Sequence, residues 1–197
     1  MKSYEEWWQN QIVTESYYTI EQFKTILGNV DSRKAYLPLI EPGMSVLDIG
    51  CGLGLDYEYY VKNDIKVKYC GIDICKGFIE YNTRHYPGGI FTISESYVLP
   101  FKDGEFDVAT IRHVLEHLQE PYSTLREAAR VADRVLIIWF IPPRDKETIR
   151  LTRKGFYKNT YNKFVLEDYI NTIGLQLNIV DIPVKGGKKN QLWALER

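Results

Sequence analysis

Nothing in the chain limits its fold more than Val46-Leu47-Asp48-Ile49-Gly50-Cys51-Gly52-Leu53-Gly54. The apolar opening predicts a buried strand, and three glycines at alternate positions predict a tight turn that opens into a helix near Leu55. A plain strand-to-helix turn needs one glycine rather than three. The extra two let a ligand lie against the main chain at the amino end of a helix. A dinucleotide loop, G-x-G-x-x-G, would need a small residue where Leu55 stands, and a P-loop would need Lys and Ser/Thr directly after its last glycine. Neither pattern is met.

Beyond this loop short β-branched runs alternate with amphipathic stretches. Strands are expected at 45–49, 66–72, 89–93, 106–111, 134–140 and 175–181, and helices at 55–61, 76–84 and 122–131. Such alternation predicts a parallel sheet with helices on both faces. Near the end, Val184-Lys185-Gly186-Gly187-Lys188-Lys189 reads as a turn into a last strand at 190–195, which adds an antiparallel hairpin. Residues 1–40 read as an N-terminal helical segment, a lid within the same domain, and residues 41–197 as the main α/β domain. A chain of 197 residues with 45% hydrophobic content suits one such core.

No apolar run reaches membrane-spanning length, and the N-terminus lacks the order of a signal peptide, so a cytoplasmic protein with no membrane partner is expected. Cys51, Cys70 and Cys75 form neither a disulfide framework nor a zinc-like pairing, and no metal is expected. The net charge of -1 conceals a division. Residues 1–143 carry 14 basic and 20 acidic side chains, whereas residues 144–197 carry 11 and 6. The basic end predicts an anionic partner or a solvated surface.

The run V-L-D-I-G-C-G-x-G resembles motif I of the class I S-adenosylmethionine-dependent methyltransferases, and residues 40–197 follow that family in order. The resemblance implies a Rossmann-like three-layer sandwich of the α/β class, with a seven-stranded, mostly parallel sheet. It implies S-adenosylmethionine as cofactor, held by Asp48, Gly50, Cys51, Gly52 and Gly54 at the first strand end. Asp73 and Ile74 follow at the second, where a carboxylate can accept bonds from both ribose hydroxyls. Glu95 and Ser96 occupy the adenine-facing places of the family's D-A-x-x-L-P-F segment, with Glu longer than the usual Asp. Arg112 completes the cofactor set. The family's glycine-rich turn before the fifth strand is replaced by Val131-Ala132-Asp133, which predicts a tighter connection.

After the fourth strand, Arg112-His113-Val114-Leu115-Glu116-His117 contains H-x-x-E-H. Two histidines four apart on a helix share a face, so a zinc hydrolase is one alternative, and a non-catalytic cofactor-binding module is another. Within the methyltransferase reading His113 and His117 are candidate catalytic bases, because imidazole titrates near operating pH. His117 packed within the following helix is the structural alternative. Members of the family that methylate nitrogen often carry Asn/Asp-Pro-Pro-aromatic where Arg112-His113 stands, so oxygen is the expected acceptor atom. The expected partner is a small, anionic or phosphorylated molecule, with RNA or protein as the alternative. Arg150 and Arg153 are expected to bind it, facing Trp8 and Tyr18 of the N-terminal segment.

Overall fold

A computed structural model describes residues 30–153, 155–184 and 189–197. The elements are α1 (Val30–Tyr36), β1 (Ser45–Ile49), α2 (Leu55–Lys62), β2 (Lys68–Asp73), α3 (Lys76–His85), β3 (Ile90–Ile93) and β4 (Phe106–Arg112). After them come α4 (Tyr122–Val131), β5 (Ala132–Trp139), α5 (Lys163–Thr172), β6 (Gln176–Pro183) and β7 (Lys189–Glu196).

Val46, Leu47 and Ile49 of β1 are all fully buried, and a strand apolar on both faces must lie between two helical layers. Successive side chains supply those layers in turn. Leu47, Ile49, Val135 and Ile137 pack with Leu125 of α4 and Leu166 of α5. Val46, Leu136 and Ile138 pack with Tyr36 of α1 and Tyr60 of α2 on the other face. The strands run in the order β3-β2-β1-β4-β5-β7-β6, the first five parallel and β7 antiparallel to both its neighbours. The expected seven-stranded, three-layer sandwich with its terminal hairpin is therefore present. Strand order reverses between β1 and β4, and a crevice opens there at the carboxyl ends, where open α/β sheets take their ligands.

The sequence places the start of the fifth strand at Arg134. It begins at Ala132, directly after α4 ends at Val131, because Ala132 pairs in register with Phe106. The connection is thus tighter still than the missing glycines imply. Between β5 and α5 the chain forms an irregular hairpin, with bridges Thr148 to Thr160 and Leu151 to Tyr157. Of the N-terminal segment, α1 and the 3-10 turn Leu37–Leu39 are described, and Trp8 and Tyr18 lie outside the described residues.

The hairpin is held to the parallel strands by Trp193 of β7, fully buried and set edge-on to Trp139 of β5 at 5.7 Å between ring centroids. Trp193→Ala would leave a cavity the flanking strands cannot fill. It is expected to lower stability by about 3–5 kcal/mol in urea or heat unfolding.

Candidate functional site

The crevice is a cleft of about 1170 Å³ including its open mouth, walled by the ends of β1, β2 and β4 and the loops after them. Gly50, with φ +74, shows why its loop needs glycine: a Cβ there would meet Val114 Cγ2 at 2.4 Å. Gly52 lines the cleft, also at positive φ, and a Cβ on it would meet no atom within 4 Å. That leaves main chain bare beside open space. Gly50 and Cys51 donate their amides to the Ile72 carbonyl at 2.8 and 2.9 Å, locking the turn to β2. Asn82, buried in α3, donates Nδ2 to the Gly52 carbonyl at 2.7 Å.

Asp73 ends β2. Its Oδ2 accepts from the Gly52 amide at 2.9 Å and its Oδ1 from the Cys75 amide at 2.8 Å. Burial raises its pKa against these backbone bonds. One carboxylate thus fixes both the glycine loop and the start of α3. Ile74, Glu95 and Ser96 line the same end of the cleft, and Ser96 shares a hydroxyl hydrogen bond with Thr124 at 2.8 Å.

At the opposite end Asp48 and Asp56 are both buried. Asp56, in the first turn of α2, accepts from Nε of Arg33 on α1 and from Nε of Arg112 at the end of β4, the latter at 3.3 Å. Burial opposes its charge, but Arg112 and Arg33 outweigh burial and hold its pKa below the usual carboxylate range. Asp48 has no guanidinium of its own. It accepts from the Tyr69 hydroxyl at 2.5 Å and the Thr110 hydroxyl at 3.4 Å, and burial followed by the nearby Asp56 charge pushes its pKa up to about 7.

That elevation sets the sign of a pH effect. The folded state holds the Asp48 proton more tightly than the unfolded chain, so stability falls as pH rises from about 4 to about 7 and stays lower above that. Asp48→Asn keeps an acceptor for Tyr69 and removes the charge. It is expected to stabilise the fold by about 2–4 kcal/mol at pH 8 and by little at pH 4, read from denaturant midpoints at the two pH values.

Arg112, His113 and His117 line the cleft between these two ends. The segment is a different shape from the helix expected for H-x-x-E-H. His113 takes a left-handed conformation with φ +57, and Leu115–His117 is a single 3-10 turn. No helix starts at His113 because its amide still pairs with the Ile138 carbonyl of β5, and Glu116 turns inward. The two imidazoles nonetheless meet, Nε2 to Nε2 at 3.4 Å. Glu116, fully buried, accepts from His113 Nδ1 at 3.0 Å and from the amides of Phe140 and Ile141 at 3.0 and 3.3 Å. His117 Nδ1 faces the Tyr157 carbonyl at 2.6 Å, so His117 is packed and still open to the cleft.

All ten expected cofactor residues except Gly54 line this one cleft, with the histidine pair beside them. Gly54 instead begins α2 in a left-handed conformation, φ +65. Arg150 and Arg153 are exposed on the hairpin after β5 and do not line the cleft. Arg33, Asp56 and Asn82 escaped the sequence reading, since each lies outside the motifs and is gathered in by the fold. Glu116 was visible, but only as part of a metal pattern.

The chain matches the family described as a methyltransferase domain over residues 47–135. It is similar to a demethylmenaquinone methyltransferase of Renibacterium salmoninarum, 33% identical over 90 residues, which are 46% of this chain and 37% of that protein. Among solved structures it resembles a SAM dependent methyltransferase from Aquifex aeolicus, with TM-score 0.64, 22% identity and coverage of 92% of this chain and 100% of that one. It also resembles the 1,6-didemethyltoxoflavin-N1-methyltransferase of Burkholderia thailandensis with bound S-adenosylhomocysteine, with TM-score 0.66, 16% identity and coverage of 86% and 77%. The chain spans 33% to 42% of the length of the first three curated relatives it matches.

Proposed function

We propose that this chain is a class I S-adenosylmethionine-dependent methyltransferase that methylates a small molecule, at oxygen in preference to nitrogen, a reading supported by its match to a methyltransferase domain over residues 47–135. One observation carries the reading: the bare glycine loop, the Asp73 carboxylate and the histidine pair open into one cleft. The cleft chemistry fits the cofactor. Asp73 would offer a carboxylate to the ribose hydroxyls, and Glu95 and Ser96, at the same end of the cleft, would lie towards the base. Asp48 with Arg33 and Arg112 would hold the ammonium and carboxylate of an amino acid. When bound, the cofactor supplies an electrophilic methyl on a sulfonium.

The chain's own part is to align the acceptor and take its proton. Alignment provides much of the rate in such a displacement, and a positioned base adds about 10²–10⁴-fold. His113, with its side chain 31% exposed, is the base within reach of an incoming acceptor, which suits a hydroxyl that must lose its proton. The acceptor is read as anionic. Arg150 and Arg153 are exposed outside the cleft, on the hairpin whose Tyr157 carbonyl touches His117, and on this reading they act by long-range steering.

Calorimetry with S-adenosylmethionine and S-adenosylhomocysteine tests the cofactor. Asp73→Ala is expected to weaken binding by about 1–3 kcal/mol for the ribose bonds alone. Tight NADH binding with no affinity for either ligand would sink the assignment. Transfer of labelled methyl into fractionated metabolite pools then identifies the acceptor. With it in hand, replacing Arg150 and Arg153 together by Ala is expected to raise KM several-fold, by roughly the loss of long-range attraction, with cofactor affinity unchanged. An unchanged KM at low salt would leave both as ordinary surface.

A further inference from the structure

The histidine pair shows which of its nitrogens carry protons. His117 Nδ1 lies 2.6 Å from the Tyr157 carbonyl, and a carbonyl only accepts, so that nitrogen is the donor. His113 Nδ1 lies 3.0 Å from Glu116 Oε1, an oxygen that also receives the amides of Phe140 and Ile141. An oxygen that already takes two amide donors and belongs to a carboxyl group held ionised accepts a third, so His113 Nδ1 donates as well. Burial works against the Glu116 charge, but His113 and His117 outweigh it and its pKa lies below the usual range. With both Nδ1 atoms committed, two neutral rings turn their Nε2 lone pairs towards each other across 3.4 Å.

We propose that His113 and His117 work as one base that captures a single proton between their Nε2 atoms, with Glu116 as the positioning residue that supplies the counter-charge. The proposal rests on the methyltransferase reading for the source of that proton. Facing lone pairs repel, and one proton turns the repulsion into an N–H to N hydrogen bond, so the pair binds it more tightly than a lone imidazole does. A second proton would set two imidazolium rings in contact and is refused. Burial, the larger cause, and then the His113 charge lower the His117 pKa, so His117 is the member of the pair that stays neutral and accepts.

Other groups among the described residues also lie near the pair. Lys158 of the hairpin adds positive charge near His117, and the rings of Phe140 and Phe156 are neutral. Arg112 at the end of β4 is engaged with Asp56 and stands over the Phe140 ring at 5.4 Å. Glu116 is therefore the anion in direct contact with the pair among the described residues. In the transfer the acceptor O–H bond breaks and its proton passes to the facing nitrogens. The oxygen lone pair forms the O–C bond, and the C–S bond breaks with its electrons kept on sulfur. The exposed edge of His113 then returns the proton to water.

Side-chain nitrogen NMR of the full chain tests this without an acceptor. The chain has three histidines, and exposed His85 on α3 serves as an internal reference. At high pH both His113 and His117 are expected to carry hydrogen on Nδ1. On acidification the two rings should change together at one midpoint above that of His85, taking up one proton. Glu116→Gln keeps an oxygen for the Phe140 and Ile141 amides while losing the charge, and should lower that common midpoint by about one pH unit. His117→Gln provides a second reading that does not depend on the Glu116 variant folding: the His113 midpoint should fall below that of the pair. Separate, independent midpoints, hydrogen on Nε2 of either ring at high pH, or a midpoint unmoved by both substitutions would overturn the proposal. So would stoichiometric, tight binding of added zinc ion at the two Nε2 atoms. Failure of cofactor binding in calorimetry would remove the methyltransferase reading and leave the NMR result standing, so the two failures are distinguishable.

Discussion

Asp56 receives guanidinium groups from two distant parts of the chain, Arg33 on the helix before the sheet and Arg112 at the tip of the fourth strand. Those bonds gather α1, α2 and β4 around one end of the cleft. All three side chains are largely removed from water, and a buried ion pair holds only when charge and hydrogen bonding are both satisfied. The surrounding geometry is therefore narrowly set: the glycine loop lies between this cluster and Asp73, and Arg112 leads directly into His113.

The same cluster explains the unequal treatment of two neighbouring carboxylates. Asp56 takes both cations and stays ionised, while Asp48, deeper in β1, is left with two hydroxyls and the field of Asp56. A carboxyl group placed in the most buried strand of a sheet costs stability when it ionises, and such a cost is characteristic of sites shaped for binding. The cleft is thus electrostatically divided, with a charged end at Asp48 and the two arginines, and a hydrogen-bonding end at Asp73.

Glu116 organises the third side of the cleft in a comparable way. By accepting the Phe140 and Ile141 amides it joins the loop after β4 to the loop after β5, and by accepting from His113 it orients that ring towards His117. The hairpin after β5 is tied to the same point, since the Asn159 amide donates to the Glu116 carbonyl at 2.8 Å and the Tyr157 carbonyl receives His117. Loops from two parallel strands meet on the Glu116 carboxylate, and the inserted hairpin joins them at its backbone carbonyl. The orientations of both imidazole rings are thereby fixed by the fold itself.

Local pattern alone determined much of this protein. The apolar runs set β1 to β7 to within about two residues, since hydrophobic period reports burial directly. The glycine spacing set the turn after β1, because positive φ and bare main chain are properties of the residues themselves. The place of Asp73 at the end of β2 was legible from the apolar run before it. The tertiary structure decided what depends on contacts between residues distant in sequence. Arg33 reaches Asp56 across 23 positions, and His117 finds its acceptor 40 positions away at Tyr157. It also replaced the expected helix around H-x-x-E-H with a left-handed residue and a 3-10 turn, because the His113 amide stays bound to β5 and the Glu116 carboxylate is pulled inward by the amides of Phe140 and Ile141. Spacing in a sequence gives the face a side chain would occupy on a regular helix. Hydrogen bonds from another strand decide whether that helix forms, and at this site they prevent it.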